Sequence, residues 1–251
     1  MEPNDLNDHL SRIRTRLTVW LAAHQGEGEA AIAARQQLVL RYYGAVYRYL
    51  LGMLHDPAVA EDLTQEFAVR LLRGDFKHFD PQRGRFRDYV KIAVRHLVMD
   101  YWKKKKKSQE RKPQALEPDQ AEPAVENPPA ADFDQAFLEK WKEELFARTW
   151  EALETIQAES GQPYYLVLRS KTDQPEARSA QLAAQVGAQL GKPLTGEGWR
   201  QLLHRARRRF AELLVDEVAR SLETAEPEQI AEELIDLGLM SYCRAAVSEA
   251  D

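Results

Sequence analysis

The stretch "SAQLAAQVGAQLGKPLTGEGWRQLLHRARRRFAELL", residues 179–214, holds two helical periods separated by a turn. Leu182, Ala183, Val186 and Leu190 make one apolar stripe at helical spacing, with Ser179 placed to cap it. Gly191 falls where a helix would end in a left-handed conformation, and "KPLTGEG" reads as the turn. Beyond it, Trp199, Leu202, Leu203, Ala206, Phe210, Leu213 and Leu214 share the inward face. Arg200, Gln201, His204, Arg205, Arg207 and Arg208 are left outside. A short apolar helix, a Gly-containing turn and a basic second helix form the layout that sets a helix in the DNA major groove. Arginines there can pair with guanine edges while other cations hold phosphates. A helical hairpin with a solvated Arg-rich face would have the same pattern, and the connection is longer than the usual tight turn.

Outward from this stretch, nearly everything reads at a period near 3.6, so the expected fold is all-α. "PYYLVLRS" (163–170) is the one run that could pass for a strand, and its helical neighbours favour a helix. In "AAIAARQQLVLRYYGAVYRYLLGML" the apolar positions are Ile32, Leu38, Tyr42, Val46, Tyr49, Leu50 and Met53. "HDPAVAEDLTQEFAVRLLRG" opens on an Asp-Pro turn and closes at Gly74, which matches helix start and stop chemistry. A long helix is expected from near Arg85 towards Lys103–Lys107. Between residues 108 and 134 the composition shifts: five prolines, many acids and few large apolar groups exclude a core and a continuous helix. The expected organisation is two small helical domains, 1–107 and 135–221, joined by a flexible acidic linker at 108–134. An acidic helical extension follows at 222–251.

Bulk properties narrow the function. At 251 residues the chain accommodates one large or two small domains. It shows no run of about 18 apolar residues and no secretory leader, and it has a single cysteine, Cys243. A cytoplasmic location is expected. The six histidines lack metal-ligand spacing, and neither a phosphate-cradling Gly-rich loop nor a Gly-x-Ser-x-Gly motif occurs. No catalytic residue, metal or cofactor is expected, and no enzyme. Charge is informative instead. The net charge is -5, yet Arg85 to Lys112 holds eleven Lys/Arg against three acids, and Arg200 to Arg209 holds five arginines and no acid. From Glu212 onward eleven acids face two arginines. Two basic islands in an acidic chain suggest two contacts with one long anion.

Taken together, "DPAVAEDLTQEFAVRLLRG", "FDPQRGRFRDYVKIAVRHLVMDYWKKKKK" and "GWRQLLHRARRRFAELL" resemble an extracytoplasmic-function sigma factor, the promoter-recognition subunit of bacterial RNA polymerase. The phrasing "DLTQEF" and the acidic tail look like the branch common in planctomycete-type bacteria. The resemblance implies core RNA polymerase and promoter DNA as partners, with an anti-sigma factor or a Ser/Thr kinase as candidate regulators. It places -10 recognition and melting on Arg83, Arg85, Tyr89, Arg95, His96, Tyr101, Trp102 and Lys103, Lys104, Lys105, Lys106 and Lys107. The aromatic rings suit unstacked bases, and the lysines suit phosphates. It places -35 contacts on Thr195, Trp199, Arg200, Gln201, His204, Arg205, Arg207 and Arg208. Polymerase docking falls to Asp62, Gln65, Glu66 and Arg73, opposite an inward stripe of Leu63, Phe67, Leu71 and Leu72; without the resemblance this is an ordinary solvated face. Thr64, beside Asp62 and Glu66, is a candidate phosphosite. His96 and Leu202 depart from residues usual in the family, so no particular promoter sequence is implied. For the tail, two roles stay open: a shield over the Arg-rich helix, or a cap that completes the second domain through Ile230, Leu234, Ile235, Leu237, Leu239 and Met240.

Overall fold

A computed structural model of the chain describes residues 28–75, 85–111, 130–222 and 226–247. Among these the secondary structure is helical throughout and no strand occurs. The fold is all-α. Two compact units divide the described residues, one running up to Glu143 and the other starting at Glu144.

The first unit contains α1 (Glu29–Leu54), α2 (Pro57–Arg73) and α3 (Phe86–Arg111), and the first part of α4 (Ala130–Ser160). The expected punctuation of α2 is present in atomic detail. Asp56 accepts hydrogen bonds from the amides of Ala58 (3.0 Å) and Val59 (3.2 Å), and Pro57 fills the first position, where an N–H would go unused. At the far end Gly74 takes φ +77°, and its amide donates to the Leu71 carbonyl. The Arg35 side chain reaches across from α1 to donate to the Leu72 carbonyl at 3.4 Å, a cation at the negative end of the helix. Of the α2 stripe, Leu63, Phe67 and Leu71 are buried but Leu72 is exposed. Ile32 on α1 is likewise exposed, because Ala31 and Ala34 turn inward in its place.

Residues 112–129, most of the expected linker, lie outside the described residues, but the linker's last part is helical. α4 begins at Ala130, and its first half supplies an aromatic edge to the first unit. Trp141 stacks on Tyr42 with ring centroids 4.8 Å apart, and Tyr42 meets Phe86 edge-on at 5.4 Å. Tyr49 packs against both Phe133 and Phe137. All of these rings are buried. Sequence composition groups residues 135–143 with the second domain; Phe137 and Trp141 pack instead on α1.

In the second unit α5 (Tyr164–Asp173), α6 (Ser179–Leu190) and α7 (Gly196–Ala219) enclose a core of Val167, Leu182, Ala183, Val186, Trp199, Leu202, Leu203 and Ala206. The run 163–170 is therefore helical from Tyr164, as its neighbours required. Ser179 is the first helical residue of α6 rather than its cap; Arg178 holds the cap position without a side-chain bond. α6 ends at Gly191, φ +64°. The turn is shorter than expected, because Gly196, Glu197 and Gly198 are already helical and Thr195 caps them, its Oγ1 accepting from the Gly198 amide at 3.1 Å. Gly187 permits this tight return: a Cβ there would lie 2.9 Å from the Lys192 carbonyl oxygen. The tail helices α8 (Pro227–Asp236) and α9 (Met240–Val247) pack on α7. Ile230, Leu234, Leu237, Leu239 and Cys243 are buried, whereas Ile235 is exposed.

Candidate nucleic-acid interface

The outer face of α7 follows directly from its inner one. Trp199, Leu202, Leu203 and Ala206 are locked in the core, so Arg200, Gln201, His204, Arg205 and Arg207 stand exposed. Arg200, Gln201, His204 and Arg205 line an open concavity of about 550 Å³. Arg200, Arg205 and Arg207 carry no ion pair among the described residues, whereas Arg208 and Arg209 both bind Glu212 (3.1 and 2.8 Å). One expected role is therefore corrected. Trp199, only 1% exposed, is a core residue and cannot reach a base. Thr195 caps α7 while remaining exposed, and Arg208, partly exposed, is paired with Glu212. Among the described residues no tail carboxylate pairs with the open arginines, and the tail helices bury Ile230, Leu234, Leu237 and Leu239.

On α3 the basic residues divide between two faces. His96, Lys103, Lys104, Lys106 and Lys107 are exposed. Lys103 makes only a solvated contact with Asp100 at 3.7 Å, the kind of pair worth about 0–1 kcal/mol. A second face carries Lys91, Arg95, Trp102 and Lys105 at i, i+4, i+11 and i+14, all partly buried. Lys105 lies over the Trp102 ring at 5.7 Å, and Tyr101 meets that ring edge-on at 5.2 Å. The Trp102 indole N–H is buried without a hydrogen-bond partner among the described residues. Arg95 sits over Phe133 at 5.9 Å, and Lys91 is 3.1 Å from Asp134. Arg85 and Tyr89 are partly buried at the start of the helix, and Tyr89 stacks on Phe86. Burial, then the charge of Asp75, raises the Tyr89 hydroxyl pKa above its ordinary value. Arg83 and Gly84 lie outside the described residues.

On α2 the residues Asp62, Gln65, Val69, Leu72 and Arg73 are exposed, and Glu66 is half-exposed and paired with Arg70. Their spacing puts them on one face, and Val69 and Leu72 give it an apolar centre that the polar residues alone do not suggest. Next to it the Tyr43 hydroxyl donates to Glu61 at 2.6 Å. That hydrogen bond, more than burial, pushes the tyrosine pKa up to about 12, and it lowers that of Glu61. Thr64 belongs to the opposite side. It is fully buried and donates its hydroxyl to the Ala60 carbonyl at 2.7 Å, so the fold withholds it from a kinase and the phosphosite expectation is corrected.

Residues 38–108, from α1 into α3, match the family model for sigma-70 region 2. The match supports a sigma-70 family factor. A region 2 implies core RNA polymerase and promoter DNA as partners, and α2 and α3 lie wholly or almost wholly inside the matched residues. No curated protein and no solved structure gives a significant match. Among the described residues no group of His, Cys, Asp and Glu is arranged to hold a metal ion, and no helix is long and apolar enough to cross a membrane.

Outside the expected set, the structure adds Lys91, Phe133 and Asp134 to the surroundings of the α3 basic face. Lys91 is legible from its spacing to Arg95. Phe133 and Asp134 are not, because they approach from about 40 residues farther along the chain.

Proposed function

We propose that this chain is an RNA polymerase sigma factor of the extracytoplasmic-function type, acting in the cytoplasm to direct core polymerase to promoters. The observation that carries the proposal is the region 2 match across α1–α3. A second, independent support is the open arginine face of α7, which follows α6 across a short turn as a groove-reading helix would. In this reading the α2 face docks on polymerase through Asp62, Gln65, Glu66 and Arg73, with Val69 and Leu72 supplying apolar contact. The lysines and aromatic residues of α3 capture the melted -10 strand. Arg200, Gln201, His204, Arg205 and Arg207 read or grip the -35 duplex. The chemistry requires no covalent step: it needs cations on phosphates, rings on unpaired bases and a grip on the polymerase.

The test is to mix the chain with core polymerase and run off transcripts from promoter-bearing DNA. The expected result is co-purification and a defined RNA 5′ end. DNA binding without polymerase association would identify a helix-turn-helix regulator that acts outside the polymerase. Co-purification without a transcript would identify an adaptor.

A further inference from the structure

The partly buried face of α3 is occupied at one end. Lys91, whose side chain is 17% exposed, has its Nζ 3.1 Å from an Asp134 carboxylate oxygen and 3.6 Å from Asp88. One turn on, the Arg95 guanidinium rests over the ring of Phe133. Phe133 is held in turn by Tyr49, and Phe137 and Trp141 anchor the helix behind it. Asp134 itself is 45% exposed, so a buried frame presents its carboxylate at the solvent edge. Lys91, Arg95, Trp102 and Lys105 form a line of cations and a ring along one helix, the arrangement that tracks a single nucleic-acid strand. A carboxylate seated on the first lysine of that line occupies the place that a phosphate oxygen would take.

We propose that the first turn of α4 is an autoinhibitory strap: Asp134 and Phe133 occupy Lys91 and Arg95, and the backbone of an unpaired DNA strand must displace Asp134 to engage the whole face. The proposal rests on the nucleic-acid part of the reading above and not on its polymerase part. Both the acid and the lysine lie at the edge of the packed aromatic group rather than within it. Displacement therefore needs only side-chain motion of Asp134 and leaves Phe137 and Trp141 in place. Asp88 stays beside Lys91 throughout, so the exchange is one anion for another and not the exposure of an isolated charge.

The experiment compares the full chain with Asp134→Asn, Asp134→Glu and Asp132→Asn, the last removing an exposed carboxylate from the same helical turn. A fluorescent single-stranded oligodeoxynucleotide is titrated by anisotropy across a salt series. Asp134→Asn should bind several-fold tighter than wild type. Its plot of log K against log salt should be steeper by about 0.7, the increment for one more phosphate neutralised on a single strand. Asp134→Glu and Asp132→Asn should follow wild type. If Asp134→Asn matches Asp132→Asn in both affinity and slope, or if no variant binds the oligonucleotide, the strap is overturned. Run-off transcription with core polymerase is scored separately. Its failure alongside an intact oligonucleotide effect would sink the polymerase reading and keep the strap, and the converse result would sink the strap alone.

Discussion

Helices α3 and α7 are both strongly basic, yet they present their charge in opposite ways. On α7 the arginines at 200, 205 and 207 face solvent, because the opposite face is sealed by Trp199, Leu202, Leu203 and Ala206. On α3 the cations are partly engaged: Lys91 by Asp134, Arg95 by Phe133, Lys103 by Asp100 and Lys105 by the Trp102 ring. One helix offers its charge outright, and the other offers part of it behind local partners. Composition alone does not separate the two. The difference lies in what packs beside each helix.

Three variants probe this contrast, in falling order of effect. Trp199→Ala should remove the centre of the second core and destabilise that unit by about 3–5 kcal/mol, read by urea denaturation. A cost below about 1 kcal/mol would mean that the indole is not the wall that holds the arginines outward. Replacing Arg200, Arg205 and Arg207 together by Gln should leave stability within about 0.5 kcal/mol, since none of the three has an ion-pair partner among the described residues. It should lower the salt slope of duplex DNA binding by about 0.9 for each phosphate that is no longer neutralised. An unchanged slope would show that the open face of α7 is not the one that meets DNA. The smallest effect is expected at Trp102. Trp102→Phe deletes a buried N–H without a partner among the described residues, keeps a ring under Lys105, and should shift stability by less than about 1 kcal/mol. A destabilisation comparable to that at Trp199 would make α3 a core helix of the same kind and erase the contrast.

How much of this is legible in the sequence depends on how far away each partner lies. The caps of α2, Asp56 and Gly74, and the inward stripe of α7 are read within a few residues, and both are present in the structure. Trp199 illustrates a limit of a different kind. Its place on the apolar stripe puts it inside, while its aromatic character suggests a base contact; burial decides, and at 1% exposure no base can reach it. Thr64 shows a related limit: acidic neighbours at 62 and 66 suggest a surface position, yet the helical period turns position 64 inward between Leu63 and Phe67. Leu72 goes the other way, because Leu71 already fills the inward position in that turn.

The sequence by itself determined the helical class, both ends of α2, the Gly191 end of α6, the exposed arginines of α7 and the clustering of positive charge on α3, since each follows from residues within one or two turns of one another. Only the tertiary structure decided where the first half of α4 belongs. Phe133, Phe137 and Trp141 are as periodic as any helix of the second unit, and nothing local distinguishes them. They pack with the first unit because Tyr42 and Tyr49, about 90 residues earlier, offer rings to stack against. That pairing also carries Asp134 to Lys91. A local pattern can specify that a face will be buried, but it takes the assembled core to specify what buries it.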